Sequence, residues 1–508
     1  MGSASKIIGL DELPDQLEAS RAAGNTVVLC HGVFDLLHVG HIRHFESAKR
    51  LGEVLVVTIT PDRHVNKGPN RPAFAEELRA EAVAALDCVD YVAINKWPTA
   101  VETLHLIRPH IYVKGAEYRD LDNDVTGGIR LEIEAAEAVG ARVAFTDDVA
   151  FSSSNLLNRF MPVLAEEARL FLADFATRHS FKDIARYFDR MRKLKVLVVG
   201  ETIIDEYQYC QAIGKSSKAP TVVAKVENSE RFAGGIIAVA NHLSAFCDTV
   251  TVLSQLGSRN SHEEFVRSQL VEGVSPILLQ RAGSPTIVKR RFIESYFFTP
   301  MLELYEINDE SLSPEDDAEL CETLKSQLAR HDLVVVVDYG HSMITEDAIS
   351  ILCRESAFLA MNAQANAGNR GYHRLSKYQR ADYICAAEQE MLFEAHDWRG
   401  DLHPVVVDVA ERLTCPRVTV TCGKRGALCY NLEDGFVEVP AFALQVVDRV
   451  GAGDAFLAAT APLALLGAPL DLTGFVGNVA GAELVASVGH RRHLQRESFA
   501  KHIQTLLS

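Results

Sequence analysis

The sequence has 508 residues, too many for a single hydrophobic core, and this length predicts two or three domains. Apolar residues make up 48% and charged residues 23%, as in folded globular proteins. Acidic residues outnumber lysine and arginine by 68 to 51, and the net charge of −17 argues against binding to nucleic acid or anionic membranes. The ten cysteines fall singly, which indicates reduced thiols in a cytoplasmic protein rather than disulfides or a zinc site.

No membrane or export segment is expected. The N-terminus lacks a basic stretch followed by an apolar run, as a signal peptide would have. The most apolar segment, residues 455–470, is shorter than a membrane span and contains Pro462 and Pro469. It predicts a buried core helix.

The N-terminal part alternates between short β-branched runs and stretches with helical spacing. Strands are predicted at residues 26–30, 54–60, 91–94, 111–114 and 142–146. Helices are predicted at residues 42–51, 76–86, 100–107 and 129–139. This alternation predicts a parallel sheet covered on both faces, with a site at the carboxyl ends of its strands.

A strand-free helical stretch separates this part from a second α/β unit. The predicted domains are residues 1–162 and 194–508, with a helical linker at 163–193 that has dimer contact as a second interpretation. In the second domain, strands are predicted at residues 195–200, 249–253, 333–338, 358–362, 383–385 and 418–421. Two β-rich stretches without helices, 221–226 and 286–305, predict a small accessory sheet.

Two histidines lie at a predicted strand-to-helix junction of the N-terminal domain. His38 and His41 are three residues apart and so share one face of the first helical turn. Gly40 allows a phosphate to approach closely, and the helix start presents free N–H groups to an anion. Imidazoles there can bind a phosphate whose negative charge grows during a reaction. The alternative is a pair of surface histidines at a helix start.

With the preceding Gly-x-Phe-Asp, residues 26–161 resemble the nucleotidylyltransferase superfamily that includes glycerol-3-phosphate cytidylyltransferase and heptose-1-phosphate adenylyltransferase. The resemblance implies catalysis by His38 and His41, with ATP or CTP as substrate and Mg²⁺ on the triphosphate. The residues that it assigns to the nucleotide and its phosphates are Gly32, Phe34, Asp35, Lys49, Lys114, Ser152, Ser153 and Ser154. Three serines at a helix start also suit N-caps and anion donors, although alone they would indicate a loop.

A glycine-rich turn precedes the long apolar segment of the second domain. Gly451, Ala452 and Gly453 permit a tight turn whose backbone N–H groups converge at a helix start, which predicts an anion hole for a transferring phosphoryl group. Asp454 follows this turn and is a candidate general base for an attacking hydroxyl. The alternative role for this aspartate is that of a turn former.

This Gly-Ala-Gly-Asp signature makes the stretch from residue 194 to the C-terminus resemble the ribokinase-like sugar kinases. The resemblance assigns Thr421, Gly423, Gly426, Gly451, Ala452, Gly453 and Asn478 to the nucleotide. It assigns Asp205, Gly234, Gly235, Asn241, Lys289 and Arg291 to the sugar substrate. The accessory sheet would be the family's lid, and its Lys289, Arg290 and Arg291 are candidates for a substrate phosphate or are a solvated basic strand.

Two stretches depart from the kinase pattern. The Asn-x-x-Glu motif that organises Mg²⁺ waters in the family has Ala387 in place of the asparagine, although its metal candidate Glu390 is present. Metal handling and kinase rate are therefore in question. The amide-rich residues 362–372 indicate either a substrate loop of different specificity or a polar turn.

Together these features predict an α/β protein with a Rossmann-like nucleotidylyltransferase domain followed by a ribokinase-like domain with a β lid. The chain resembles the bifunctional heptose-7-phosphate kinase and heptose-1-phosphate adenylyltransferase, with the domain order reversed. The predicted function is phosphorylation of a sugar phosphate and nucleotidyl transfer to the sugar 1-phosphate, in a homo-oligomer, most simply a dimer. The alternatives are that only one domain is active, the kinase being the first candidate for a relic, or that the protein is a non-catalytic sensor of nucleotide or sugar phosphate.

Overall fold

The computed structural model describes residues 3–65, 71–119, 128–146, 164–369, 372–396 and 400–507. The chain divides into two compact units. Unit 1 comprises residues 1–165 and 497–508, and unit 2 comprises residues 166–496.

Unit 1 is built on a five-stranded parallel sheet with the strand order β3-β2-β1-β4-β5. Its strands are β1 Val27–Gly32, β2 Val54–Ile59, β3 Tyr91–Ile94, β4 Ile111–Lys114 and β5 Arg142–Phe145. Alternate side chains of β1 enter two separate cores, Val27 and Leu29 on one face and Val28 and Cys30 on the other. The sheet is therefore covered on both faces, which explains its continuous apolar runs.

Five helices lie along the described part of unit 1 before residue 165. They are α1 Leu13–Ala22, α2 Val39–Lys49, α3 Glu76–Ala84, α4 Val101–Ile107 and α5 Gly128–Ala138. All but α1 coincide closely with predicted helices. The alternation of strands and helices confirms the Rossmann-like α/β class for this unit.

Unit 2 contains a nine-stranded sheet with the order β10-β9-β6-β13-β14-β15-β16-β17-β18. Its strands are β6 Lys195–Gly200, β9 Thr249–Arg259, β10 Val274–Pro285, β13 Leu333–Asp338, β14 Leu359–Ala363, β15 Tyr383–Ala387, β16 Arg417–Thr421, β17 Ala427–Asn431 and β18 Gly435–Val439. The strands from β10 to β16 run parallel, and β17 and β18 close the edge in antiparallel register.

A separate four-stranded sheet in unit 2, the accessory sheet, has the order β12-β11-β7-β8. Its strands are β7 Thr202–Lys215, β8 Val222–Gly235, β11 Ile287–Glu294 and β12 Thr299–Glu306. This sheet was predicted from two of its β-rich stretches, but β7 was not predicted. The omission matters because β7 carries Asp205.

The helices that begin in unit 2 include two that occupy the predicted linker, α6 and α7. They are α6 Glu166–Arg178, α7 Phe181–Met191, α8 Ile236–Leu243, α9 Glu263–Ser268, α10 Pro314–Leu328, α11 Glu346–Glu355, α12 Glu388–Glu394, α13 Leu402–Arg412, α14 Ala452–Leu465, α15 Leu470–Val485 and α16 Arg496–Leu506, which groups with unit 1 from residue 497. Every residue from Ala455 to Ala464 in α14 is buried, which confirms the predicted core helix. Within the described ranges, no helix combines the length and the apolar character that crossing a bilayer requires.

Candidate active sites

The two predicted histidines of unit 1 lie together at the start of α2. The chain leaves β1 through Phe34 and Leu36, both with a φ of 50°, and reaches His38 in an extended conformation. The Nδ1 atom of His38 accepts a hydrogen bond from the backbone N–H of Gly40 at 3.0 Å, so His38 caps the helix. The rings of His38 and His41 stack with their centroids 3.9 Å apart. One helical turn therefore presents both imidazoles side by side.

Phe34 and Gly32 position the histidine pair through packing contacts. The Phe34 ring meets His41 edge-on with centroids 5.4 Å apart and packs on buried Phe45 at 4.8 Å. A Cβ atom on Gly32 would lie 3.0 Å from the Phe34 ring, so a side chain there would displace the ring. These two predicted residues thus shape the histidine pair through packing.

Asp35 joins the β1–α2 loop to a second loop. Its buried carboxylate accepts hydrogen bonds from the backbone N–H groups of Ala73 at 2.9 Å and Phe74 at 3.3 Å, and lies 3.7 Å from the guanidinium of Arg71. Asp35 therefore fixes the loop that carries the histidines to the segment 71–74.

Lys114 lies at the carboxyl end of β4, in a buried ion pair. Its Nζ atom is 3.0 Å from Glu132 Oε2 and 5.0 Å from the centroid of the Tyr118 ring. Burial alone would raise the pKa of Glu132, but Lys114 and His31 nearby lower it to about 2. The lysine charge at this edge is thus balanced by a carboxylate.

The structure does not bring Lys49 to the histidines. It lies in the last turn of α2, where its Nζ atom donates to Asp90 Oδ2 at 2.5 Å and to the backbone oxygen of Glu53 at 2.6 Å. Since α2 has 11 residues at about 1.5 Å rise each, its last turn lies roughly 15 Å from its start. Asp90 precedes β3, so Lys49 marks the amino edge of the sheet. Ser152, Ser153 and Ser154 lie outside the described residues.

Two buried side chains near the histidine loop carry no sequence signal. Arg79 of α3 donates to the backbone oxygens of Val33 at 2.5 Å and Thr60 at 2.8 Å, which ties this loop to the end of β2. His31 in β1 lies 2.9 Å from the hydroxyl of Thr58, and burial lowers its pKa to about 4. An isolated arginine and a histidine within a strand have many roles, so neither could be singled out from the sequence.

In unit 2, Asp454 lies in the first turn of α14, directly after the glycine turn. Gly451 has a φ of 82°, and a Cβ atom on it would lie 2.6 Å from the ring of His490. The space beside Gly453 is open. The phenol of Tyr339 donates to Asp454 Oδ1 at 3.1 Å, and desolvation raises the pKa of Asp454 above its ordinary value. A carboxylate with a raised pKa beside an open glycine turn suits a general base.

Asp205 and His490 form the opposite side of this site. Asp205 Oδ1 pairs with Arg291, and Oδ2 lies 3.5 Å from His490 Nε2. Burial would raise the pKa of Asp205, but His490 and Arg291 lower it to about 2. Burial in turn would lower the pKa of His490, but Asp205 and Asp454 raise it. A Cβ atom on Gly234 would lie 2.1 Å from Asp205 Oδ2, so glycine is required there.

The three basic residues of β11 differ in their partners. Arg291 is paired with Asp205, and Arg290 lies 2.5 Å from Glu206. Lys289 is buried, with its Nζ atom 5.8 Å from the centroid of the Tyr339 ring, and burial lowers its pKa. Within the described ranges, Lys289 is therefore the member of the three without an ion pair.

Family models match the two segments that contain these candidate sites. The family model described as pfkB family carbohydrate kinase matches residues 193–496. The chain belongs to the pfkB carbohydrate kinase family. A second model, described as cytidylyltransferase-like, matches residues 29–159. These matches confirm the predicted order, with the nucleotidyltransferase part first and the kinase part second.

Several curated relatives with one shared name match this chain over only part of their length. The protein named Bifunctional protein HldE from Syntrophotalea carbinolica is 39% identical over 160 residues, 31% of each chain. That from Geobacter metallireducens is 36% identical over 168 residues, 32% of this chain and 33% of the relative. That from Campylobacter fetus is 45% identical over 119 residues, 23% of this chain and 25% of the relative. The matched part thus spans about a third or less of these curated relatives.

Among solved structures, phosphofructokinase-2 from Escherichia coli in complex with potassium aligns with a TM-score of 0.50 and 15% identity. The alignment covers 62% of this chain and 99% of that structure. At this identity the likeness establishes the ribokinase-type fold of the kinase unit, residues 166–496, and nothing further.

Kinases and nucleotidyltransferases of these families use nucleoside triphosphates, generally with Mg²⁺. In the kinase unit, Glu390 Oε2 accepts the backbone N–H of Ala387 at 2.7 Å and Oε1 that of Ala365 at 3.2 Å. Burial raises the pKa of Glu390 to about 7. Each oxygen keeps a further lone pair for a water of hydrated Mg²⁺. The described residues contain no cluster of three acidic, histidine or cysteine side chains suited to direct metal ligation.

The predicted nucleotide residues meet at the turn after β16. Gly423 and Gly426 have φ values of 58° and 93°, and a Cβ atom on Gly426 would lie 2.0 Å from the backbone oxygen of Val439. Asn478 Nδ2 donates to that same oxygen at 2.9 Å. Thr421 ends β16 immediately before the turn. The structure thus brings these four residues together around the end of β18.

The other predicted substrate residues are Gly235, which caps the start of α8, and Asn241, which lies in its second half. Gly235 has a φ of 57°, and a Cβ atom on it would lie 2.6 Å from the backbone oxygen of Glu201. Asn241 Nδ2 donates to the backbone oxygen of Gln269 at 2.8 Å, and its Oδ1 accepts the N–H of Val271 at 3.3 Å. The Asn241 amide therefore anchors the segment after α9.

The kinase site also contains a buried network around Tyr339, which joins Glu201, not singled out from the sequence, to the amide-rich loop that was. Glu201 accepts the backbone N–H groups of Tyr339 and His341, both at 3.0 Å, and burial together with nearby Asp338 raises its pKa to about 7. From the amide-rich loop, Asn366 and Asn369 donate to the backbone oxygen of Tyr339 at 2.7 and 2.9 Å. Tyr339 is thus held from both sides.

Proposed function

We propose that the protein is a bifunctional enzyme of nucleotide-sugar synthesis. The kinase unit phosphorylates a sugar phosphate with ATP, giving a sugar bisphosphate and ADP, and unit 1 transfers a nucleotidyl group to a sugar 1-phosphate. The observation that carries this proposal is the presence, in one chain, of a stacked histidine pair at a helix start and an aspartate beside a glycine turn, each within a segment matching the corresponding family.

In the kinase step, Asp454 takes the proton of the sugar hydroxyl. The hydroxyl oxygen then attacks the γ-phosphorus of ATP, and the bond to ADP breaks. Backbone N–H groups of the turn formed by Gly451, Ala452 and Gly453 stabilise the transferring phosphoryl group. At the other side of the site, the carboxylate of Asp205 is positioned by Arg291 and accepts hydrogen bonds from sugar hydroxyl groups.

In the transfer step, a phosphate oxygen of the sugar 1-phosphate attacks the α-phosphorus, and pyrophosphate leaves. Because His38 Nδ1 accepts the Gly40 N–H, its ring proton is on Nε2, which makes it a donor to the phosphate. His41 lies parallel to it and supplies a second imidazole. The family resemblance assigns Lys114, Lys49 and the serines at 152–154 to the nucleotide. Of these, Lys49 is left out of the proposal because it contacts Asp90 at the far end of α2.

The substrates follow from the same resemblance. A heptose 7-phosphate-like sugar is the proposed acceptor of the kinase, with ATP as donor. ATP or CTP is the proposed nucleotide for unit 1, with Mg²⁺ on each triphosphate. The word bifunctional in the names of the three relatives supports two activities in this chain.

The proposal includes a cytoplasmic location and a dimer. All ten cysteines are free, as is usual for proteins of reducing compartments. The accessory sheet exposes apolar side chains at Ile213, Val222, Val226, Leu302 and Leu304, which are 47 to 71% exposed. An exposed apolar face of this kind marks an association surface. Sedimentation of wild type and a Val222→Lys variant tests this part.

The experiment supplies ATP labelled at the γ-phosphate with a panel of hexose and heptose phosphates, and ATP or CTP labelled at the α-phosphate with sugar 1-phosphates. We expect label transfer in both reactions, with products identified by mass spectrometry. Transfer in one reaction alone would indicate a single active unit. Binding of nucleotide and sugar phosphate without transfer in either reaction would indicate a sensor.

A further inference from the structure

A cavity of about 220 Å³ adjoins the substrate side of the kinase unit. It is bounded by Ala233, by Asn241 of α8, and by the segments 268–271 and 490–493. Its lining side chains include His242, His490, Arg491, Arg492 and His493, and none of the described side chains that line it is acidic. In a chain with a net charge of −17, such a local excess of basic groups indicates an anionic ligand.

His242 supplies a buried donor on the cavity wall. Its side chain is 1% exposed, and Nδ1 accepts the backbone N–H of Leu494 at 3.1 Å, so the ring proton is on Nε2. In the described part of the chain, Nε2 has no hydrogen-bond partner. Burial lowers the pKa of His242 to about 3, so the ring is a neutral donor. A ligand with a hydrogen-bond acceptor would complete it.

His490 connects the cavity to the site around Asp454. Its side chain lines the cavity, is 4% exposed, and lies 3.5 Å from Asp205. Its Nδ1 atom also has no hydrogen-bond partner among the residues described. A Cβ atom on Gly451 would lie within 2.9 Å of that same nitrogen. A ligand group in the cavity therefore adjoins the proposed sugar site, through this single ring.

Arg492 is the available charge at the cavity rim. Its side chain is exposed, and no ion pair or hydrogen bond joins it to other described residues. Arg491 is paired with Glu230, and Arg290 and Arg291 of the accessory sheet are paired with Glu206 and Asp205. The two arginines of β11 are thus less available to a phosphate than Arg492.

We propose that this cavity binds the phosphate ester of the sugar phosphate acceptor, with Arg492 supplying the charge and His242 the buried N–H donor. The inference rests on the proposed kinase function and names the residues that distinguish a phosphorylated sugar from an unphosphorylated one. The volume of the cavity has room for several waters or one phosphate group.

The test compares kinase kinetics of wild type, Arg492→Ala and His242→Asn, in the full chain. Asparagine at 242 keeps an acceptor near the Leu494 N–H but removes the second donor. Arg267→Ala is the matched control, because Arg267 is exposed next to the 268–271 segment but pairs with Glu263 outside the cavity. We expect the KM for sugar phosphate to rise about tenfold or more in both variants, with the KM for ATP and the KM for unphosphorylated sugar unchanged.

Inorganic phosphate separates the two possible sources of the anion. We expect it to compete with the sugar phosphate in wild type and to lose this effect in Arg492→Ala. An unchanged KM for sugar phosphate in both variants would overturn the proposal, and so would a rise of equal size in Arg267→Ala.

If wild type phosphorylates no sugar phosphate, the proposed function itself fails, and calorimetric titration with inorganic phosphate then decides the fate of the cavity. Binding that Arg492→Ala abolishes would identify a site for a free anion and overturn the acceptor assignment. Absence of binding in wild type would overturn the anion site as well.

Discussion

The two candidate sites differ in how far along the chain their parts are collected. In unit 1, Gly32, Phe34, His38 and His41 lie within ten residues and contact one another directly. In the kinase unit, the phenol that binds Asp454 comes from Tyr339, 115 residues away. A site formed by one strand-to-helix junction can be predicted from a short segment of sequence. For a site assembled from several strands, only the residues that are close together in sequence can be predicted in this way.

The sites also differ in how they use charge. The histidine pair offers ring N–H groups, and Lys114, a buried lysine of the same unit, is balanced by Glu132. In the kinase unit, Asp205, His490 and Asp454 shift one another's pKa values. We therefore expect unit 1 to respond to loss of donors and the kinase unit to respond to pH.

The largest effect is expected at the kinase base. Asp454→Asn should lower phosphorylation by about 10²–10⁴-fold, because an amide cannot accept the hydroxyl proton. Nucleotidyl transfer from supplied sugar 1-phosphate should be unchanged if the units act independently. Asp408→Asn, an exposed aspartate on α13, is the matched control. Kinase turnover within a few-fold of wild type would refute the role of Asp454.

A stability change should follow loss of the buried pair in unit 1. Glu132→Gln leaves Lys114 buried without its carboxylate, which should lower the free energy of unfolding of unit 1 by about 3–5 kcal/mol. Thermal melting measures this, and Glu137→Gln on the exposed face of α5 is the control. Equal melting of the two variants would mean that the pair is not structural.

The same pair has a defined pH dependence. Since the folded-state pKa of Glu132 is lowered to about 2, its contribution is present above its ordinary pKa and is lost as the pH falls toward 2. The melting temperature of Glu132→Gln should therefore fall less steeply than that of wild type as the pH is lowered through this range.

Loss of either histidine should cripple nucleotidyl transfer and leave the kinase unchanged. His38→Ala or His41→Ala removes one donor to the transition state, a loss of about 10²–10³-fold by analogy with oxyanion donors. The measurement is the transfer of the α-label from the nucleotide to sugar 1-phosphate, together with the release of unlabelled pyrophosphate. Normal release in both variants would place the site elsewhere.

His38 also caps α2, so its two roles need to be separated. His38→Asn keeps a capping acceptor for the Gly40 N–H but lacks the ring donor. We expect it to melt like wild type and to be as inactive as His38→Ala. Exposed His105 on α4 gives a matched His→Ala control, which should retain transfer.

The sequence allowed the parallel sheets and the local motifs to be predicted, but not the residues that complete the kinase site. Buried parallel strands such as Lys195–Gly200 are continuous apolar runs, and helix starts carry glycines or caps, so both have short-range signals. His490 and Glu201 gain their roles only when distant strands and loops meet. Lys49 shows the opposite error, because a family position near the histidines in sequence lies a helix length away in space.

The smallest predicted effect tests the pH sensitivity of the kinase unit. The phenol of Tyr339 donates to Asp454 Oδ1 at 3.1 Å, and this hydrogen bond lowers the pKa of Asp454. The Tyr339→Phe substitution removes the bond. Without this bond the pKa of Asp454 should rise further above its ordinary value, where burial already places it. Because the base must be ionised, the acid limb of kcat/KM should move to higher pH, and on that limb the rate should fall about tenfold relative to wild type.

At alkaline pH, the Tyr339→Phe variant should approach the wild-type rate, since Asp454 is then ionised in both proteins. Tyr383→Phe is the matched control, because its buried phenol lies 2.9 Å from Thr460 Oγ1 and is not bonded to Asp454. Its pH profile should be that of wild type, even if its melting temperature falls. An acid limb at the same pH in Tyr339→Phe and wild type would mean that Tyr339 does not tune the base, and the contrast in charge use between the two units would then lose its main support.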